Sequence, residues 1–414
     1  MNYRNVFLLN VFLAYLINAS AQSGCIDPQA NNYDPTAIVN DGSCLYQQTS
    51  LPLAFHCFID AAKLDETSGI MKLGNDFWTH VDDTDNSIYR IDTESDSIFQ
   101  KVTILNSTNQ DWEDMFCDDN YIYIGDIGNN GGNRHNLRYY RIDRTEVDST
   151  TTSVNAEKIK FTYSDQTVFN TNNGNYYDCE AFIVLHDTIH MFTKGWRNRW
   201  TKHYMLPAIP GTQVAQLVDS FNVDGLITSA AIQGDSLVVL LGLNYVNGSK
   251  SFVWTLSGFT GSDFFGGNKR RFEIGNINNV GQVEAICFSD TNKCFITNEE
   301  LSATPSQIRE VDLNPFMINL NAPVGISNPV SEDDFQVYPN PFAGNTNFDY
   351  TLQKPSRVSI EVFNAVGERI VTLADSEAQQ AGSHSYQIRD LSPGIYFLRF
   401  SAGKSSVIRR IVSM

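Results

Sequence analysis

The chain is short of positive charge: 29 Lys and Arg stand against 47 Asp and Glu over 414 residues, a formal charge of −18. Nucleic acid is thereby excluded as the main partner, because phosphate contacts need clustered Lys and Arg. Cations are not excluded. No G-x-S-x-G elbow and no H-E-x-x-H pair occurs, so two common hydrolase signatures are missing. His186 and His190 have the spacing of a helical metal pair, but residues 181–193 read as a hairpin, where that spacing loses its meaning. Beyond the N-terminus no apolar run is long enough to cross a bilayer. The apolar runs are short and separated by turn formers, which predicts an all-β chain.

The first 21 residues carry Arg4, an apolar stretch over 6–17 and then Ala19-Ser20-Ala21. This is the pattern of a cleaved export signal, with the mature chain starting near Gln22. An exported chain meets an oxidising environment, so its seven cysteines are disulfide candidates first. Cys25 and Cys44 flank one compact loop, and Cys287 and Cys294 flank a short turn. The pairing of Cys57, Cys117 and Cys179 stays open.

The length calls for more than one module. The expected order is a signal peptide (1–21), a Cys-bracketed Asp/Asn-rich loop (22–47), a β-propeller (48–320), a linker (321–334) and a small Ig-like β-sandwich (335–414). Residues 24–46 run Gly-Cys-Ile-Asp-Pro-Gln-Ala-Asn-Asn-Tyr to Asp-Gly-Ser-Cys-Leu-Tyr. This resembles a Cys-bracketed repeat of secreted bacterial surface proteins and is similar to thrombospondin type 3 calcium loops. Asp27, Asn31, Asp34 and Asp41 supply hard oxygens suited to Ca²⁺; a disulfide-closed spacer without metal is the alternative.

Between 50 and 320 a strand start recurs: Glu66-Thr67-Ser68-Gly69, Asp111-Trp112-Glu113-Asp114, Asp178-Cys179-Glu180-Ala181, Ile227-Thr228-Ser229-Ala230 and Gln282-Val283-Glu284-Ala285. Aligned on Thr67, Glu113, Glu180, Ser229 and Glu284, the starts lie 46, 67, 49 and 55 residues apart. That period suits one four-stranded blade per repeat, giving five or six blades. Residues 51–58 read as the strand that closes the ring. With the loop 125–134, Thr193-Lys194 and Asn298-Glu299, these starts resemble a group of secreted bacterial propellers carrying D-W-E-D, G-D-I-G-D-N, D-x-E-A, T-K and Q-G-E-A-I in that order. The resemblance implies fold and site placement, and no activity. Asn130 and Val283 depart from it, where Asp and Gly are usual.

The last 80 residues differ in charge, with eight Lys and Arg against six Asp and Glu. Their marks are Tyr338-Pro339-Asn340-Pro341-Phe342, the L-x-P-G-I-Y-x-L-R core from Leu391, and a basic terminal strand with Lys404, Arg409 and Arg410. They resemble the type A sorting domain of the type IX secretion system. That resemblance implies export through the periplasm to the outer surface or medium, with the secretion machinery as partner.

In a propeller the innermost strands face one channel, so the repeat starts converge. The candidate binding residues are Glu66, Asp111, Glu113, Asp126, Arg134, Asp178, Glu180, Lys194, Glu284 and Glu299. Like-charged carboxylates so close need a cation, a proton or a cationic ligand between them; a closure network is the structural alternative. Trp196, Trp200 and Tyr204, beside Arg197 and Arg199, read as packing or as a stacking patch. The expected function is a secreted recognition module holding Ca²⁺ or an organic ligand (glycan, peptide or small molecule) at the acidic mouth. The alternatives are a metal-assisted or paired-carboxylate hydrolase or lyase, and an adhesin without pocket chemistry.

Overall fold

The computed structural model describes residues 22–59, 64, 66–169, 175–246, 248–301, 304–317, 335–352, 355–364, 368–402 and 405–414. The expected signal peptide, the linker 321–334 and Lys404 fall outside them. The chain divides into two compact units, Met1–Met317 and Ile318–Met414.

The first unit is a five-bladed β-propeller. Blade I comprises Thr67–Leu73, Asp76–Val81, Ser87–Asp92 and Ser97–Ile104; blade II Trp112–Cys117, Tyr121–Asp126, Arg138–Asp143 and Glu157–Tyr163. Blade III comprises Cys179–Leu185, Thr188–Thr193, Trp200–Pro207 and Gly211–Asn222; blade IV Leu226–Gln233, Leu237–Asn244, Lys250–Ser257 and Asn268–Asn276. Blade V has three strands of its own, Gln282–Asp290, Lys293–Glu299 and Gln307–Asp312. Its fourth is Ala54–Phe58, which pairs antiparallel with Gln307–Asp312 and so closes the ring as expected from residues 51–58.

Five apolar clusters hold the ring together, one at each blade interface. Met71 and Trp78 pack with Met115 and Tyr140, Tyr123 and Tyr139 with Phe182 and Met191, Ile183 and Phe192 with Leu240 and Phe252. Leu241 and Val253 pack with Ile286 and Ile296, and Phe295 with Ile70 and Phe77. Each blade is thus covered on both faces, which is why Leu237–Asn244 is an unbroken buried run and not an alternating one. Among the described residues the long second interval holds no sixth blade. It is filled by the strands of blade II, the short strand Ser153–Val154 that pairs with Ser97–Ile104 of blade I, and the loops around them.

Cys287 and Cys294 are free thiols, against the expected disulfide. In the register Cys287 faces Phe295 while Cys294 faces Phe288, so the two cysteines point to opposite sides of the sheet. Cys287 accordingly enters the cluster between blades V and I, and Cys294 the one between IV and V. Cys25 and Cys44 do form a disulfide.

The second unit is a seven-stranded sandwich. One sheet holds Phe335–Tyr338, Asn345–Leu352 and Gly382–Arg389; the other holds Arg369–Gln379, Ser356–Asn364, Gly394–Ala402 and Ser405–Ser413. Alternating burial along Ser356–Asn364 places Val358, Ile360 and Val362 in its core with Phe348, Leu398 and Phe400. Asn340 donates to Arg410 O at 2.9 Å and accepts from Val412 N at 2.9 Å, so the Y-P-N-P-F opening is clamped to the terminal strand.

Candidate functional site

The first and second strands of every blade are antiparallel, so the start of one and the end of the other share one end of the propeller. At that end the pairing slips by one residue in all five blades. The residues set in the slip are Ser68, Glu113 with Asp114, Glu180, Thr228 and Glu284. A bulge re-aims the side chain it carries, and here it places three glutamates around one axis. The register therefore aligns Ser68 and Thr228 with them, in place of Thr67 and Ser229. Thr67 Oγ1 instead lies 2.6 Å from Thr79 Oγ1, and Ser229 bonds Asp114.

The three glutamates are buried, and the ammonium of Lys194 lies in reach of all of them. Lys194 Nζ donates to both carboxylate oxygens of Glu180, one at 2.5 Å. Burial alone would lower this ammonium, but Glu180, Glu284, Asp178 and Glu113 together hold it above the usual lysine range. Trp196 packs its ring 5.0 Å from Lys194 and donates its indole N–H to Asp178 Oδ2 at 2.7 Å. Asp178 Oδ1 takes the Asn129 N–H at 2.7 Å. Across the axis, Gln282 donates to Glu284 at 2.6 Å and to Glu299 at 2.9 Å, and receives the Tyr245 hydroxyl at 3.0 Å.

Two further carboxylates join Glu113 on the other side. Asp82, Asp111 and Glu113 each bring one oxygen within 4.8 Å of the others. Burial, then Asp111, Glu180, Glu299 and Glu66, pushes Asp82 up to about 8. Burial pushes Asp111 up to about 6, with Arg134 opposing, and raises Glu113 well above the carboxylate range with Glu180 and Asp82 adding to it. Burial likewise raises Glu284, with Glu299 adding and Lys194 opposing.

The loop 125–134 folds over this side. Arg134 donates to Asp126 Oδ1 at 2.5 Å and to Gly128 O at 2.6 Å, and Arg138 Nε lies 3.3 Å from Asp126 Oδ2. Asp126 and Arg134 thus pair within the loop and brace it, with Arg134 reaching Asp111 at 3.8 Å. Glu66 is exposed at the rim, its carbonyl taking the Asp82 N–H at 2.9 Å.

All ten residues expected at the mouth lie at this end of the propeller, whereas the N-terminal loop arranges its acids differently. Asp27 accepts from Gln29 N and the Tyr46 hydroxyl, Asp34 from Thr36, and Asp41 from Ser43 N. Each is used in its own turn, and Asn31 contributes its N–H to Leu45 O. Asp27, Asp34 and Asp41 do not form a group of three acids within 4.8 Å among the described residues. The sequence reading missed Asp82, which belongs to no motif; its signal is position, as the first residue after a second strand, where blade III has Lys194. Of the aromatic trio, Tyr204 is core and Trp196 lies at the site with 38% of its surface exposed.

Residues 336–414 match the family described as a secretion system C-terminal sorting domain. The chain is therefore exported by type IX secretion to the cell surface or beyond. A 30-residue stretch is 60% identical to ribulose bisphosphate carboxylase/oxygenase activase 1 of Larrea tridentata, over 7% of this chain and 6% of that relative's length. Among solved structures, similarity extends to an exo-β-1,3-galactanase from Phanerochaete chrysosporium, 10% identical, TM-score 0.40, covering 87% of this chain and 99% of that one. It extends also to a family GH32 β-fructofuranosidase of Bombyx mori, 10% identical, TM-score 0.36, covering 87% and 89%. A third is hydrazine synthase of Kuenenia stuttgartiensis, 11% identical, TM-score 0.32, covering 84% and 78%.

Proposed function

We propose that this exported propeller is a recognition module that takes a small cationic or polyhydroxylated ligand at the acidic end of its axis. One observation carries the reading: Glu113, Glu180 and Glu284 are buried together, with the ammonium of Lys194 in reach of all three. Buried carboxylates in such excess repel one another, and a ligand bearing positive charge or several hydroxyl donors relieves that repulsion. Trp196 and Tyr245, 38% and 47% exposed, offer ring faces beside the acids. The sorting domain supports delivery to the outer surface, where such a ligand would be met.

The test is calorimetric titration of the full mature chain with spermidine, an Arg-containing peptide and neutral oligosaccharides. Binding by at least one class, lost when Glu113, Glu180 and Glu284 are together changed to Gln, is expected; an unaltered response in that variant removes the reading.

A second reading, hydrolysis by paired carboxylates, is favoured by one contrast. Burial raises both Glu284 and Glu180, the latter to about 8, but only Glu180 is bonded directly by the Lys194 ammonium, which opposes its rise. Two carboxyl groups with such different partners can divide acid and base roles. Turnover of a glycan, lactone or phosphoester that vanishes in the same triple variant would establish it.

A further inference from the structure

We infer that the acidic end of the propeller seats one divalent cation of the Ca²⁺ class on Asp82, Asp111 and Glu113. The inference rests on the reading of that end as a binding site and adds what is bound first.

The three carboxylates come from different parts of the fold: Asp82 follows the second strand of blade I, and Asp111 and Glu113 open blade II. Their closest oxygens lie within 4.8 Å of one another. A Ca²⁺ ion takes oxygens at about 2.3 to 2.6 Å, so two of its ligands stand at most about twice that distance apart. The trio thus lies within the span that one Ca²⁺ can draw together. Mg²⁺, which demands near-ideal octahedral geometry at about 2.0 to 2.1 Å and keeps several waters, is served less well by a set of protein carboxylates.

Two further observations point to a ligand. Glu113 is 6% exposed, yet its carboxylate accepts no hydrogen bond from any described residue. A buried carboxylate without a donor is costly unless a cation or a proton completes it. Arg134 is the nearest counter-charge to the trio and reaches only Asp111, at 3.8 Å. The second observation is the close approach of Gly128. A Cβ there would lie 2.2 Å from Glu113 Oε1 and 2.3 Å from Asp111 Cγ. The loop backbone therefore presses on two of the three carboxyl groups and holds them side by side, an arrangement that mutual repulsion would otherwise open.

The N-terminal loop, the other acidic candidate, lacks this character because its carboxylates are satisfied by their own turns. That difference makes it the internal control.

The test uses the full mature chain, stripped with chelator, in two readouts: luminescence of Tb³⁺ on excitation of tryptophan, and calorimetry with Ca²⁺ and Mg²⁺. Trp112, fully buried next to Glu113, is placed to sensitise the ion. One stoichiometric site is expected, with Ca²⁺ displacing Tb³⁺ at least tenfold more effectively than Mg²⁺. Asp82→Asn and Gly128→Ala should each weaken Ca²⁺ binding tenfold or more, while Asp41→Asn in the N-terminal loop leaves it within threefold. Circular dichroism checks that each variant is folded, and two variants guard against the failure of one. No sensitised signal in the wild type, full affinity in folded Asp82→Asn and Gly128→Ala, or loss of the site in Asp41→Asn would overturn the assignment. Organic-ligand binding that persists in Asp82→Asn would leave the recognition reading standing; stoichiometric Ca²⁺ without any organic ligand would leave the ion site and remove the recognition reading.

Discussion

Asp114 Oδ2 accepts a 2.9 Å hydrogen bond from Ser229 Oγ, although the two residues sit 115 positions apart on the first strands of blades II and IV. The same oxygen takes the Ala230 N–H at 3.2 Å, and Ser229 Oγ itself accepts the Ile286 N–H at 3.0 Å. The serine hydroxyl thus accepts from blade V on one lone pair while it gives its hydrogen to Asp114. Three blades are thereby tied through one buried carboxyl.

Removing that carboxyl strands donors from two blades. Asp114→Ala is expected to lower stability by about 2 to 4 kcal/mol, and Ser229→Ala by about 1 to 2 kcal/mol, since it orphans a single backbone N–H. Urea denaturation measures both; a loss under about 0.5 kcal/mol in Asp114→Ala would show that the link is not structural.

Lys194 and Glu180 form a buried ion pair, with side chains 10% and 5% exposed. Breaking one half leaves an uncompensated charge, so Lys194→Met should cost about 3 to 5 kcal/mol. Combining it with Glu180→Gln removes both charges and should restore most of the loss. A double-mutant cycle with additive effects would contradict the pairing.

Stability should fall with rising pH in the presence of chelator. Asp82 and Asp111 ionise near about 4 in an unfolded chain, but at about 8 and about 6 when folded. The folded state holds the extra protons, so their stabilisation is full below about pH 4 and is lost as pH climbs through about 6 and then about 8. Thermal melts at pH 5 and 8.5 check the sign; a higher melting temperature at pH 8.5 would reverse it.

Thiol counting in denaturant without reductant should find five free groups in the mature chain, because Cys57, Cys117, Cys179, Cys287 and Cys294 are all unpaired. A count of three would mean that one further pair of these cysteines had joined.

The legible part of this fold was what repeats. Tyr338-Pro339-Asn340-Pro341-Phe342 and the basic end marked the sorting domain, and the spacing of the acidic strand starts implied a propeller. Register was not legible. Thr67 and Ser229 looked equivalent to the three glutamates, yet a one-residue slip puts Ser68 and Thr228 there. The Cys287–Cys294 expectation failed for a related reason, since nearness along a hairpin says nothing about which face a side chain takes. Asp82 was hidden because its role comes from the end of a second strand, where blades I and III carry opposite charges.

The strand that closes the ring, Ala54–Phe58, precedes the other strands of every blade, and its partner, Gln307–Asp312, is the last strand of the propeller to be made. During synthesis its pairing must wait until the rest of the ring has emerged behind it. Closure thus reports completeness: a chain truncated before Gln307 has nothing to fasten. Since the sorting domain follows that strand, any chain that bears the export signal at its C-terminus already holds all the parts needed to lock its propeller.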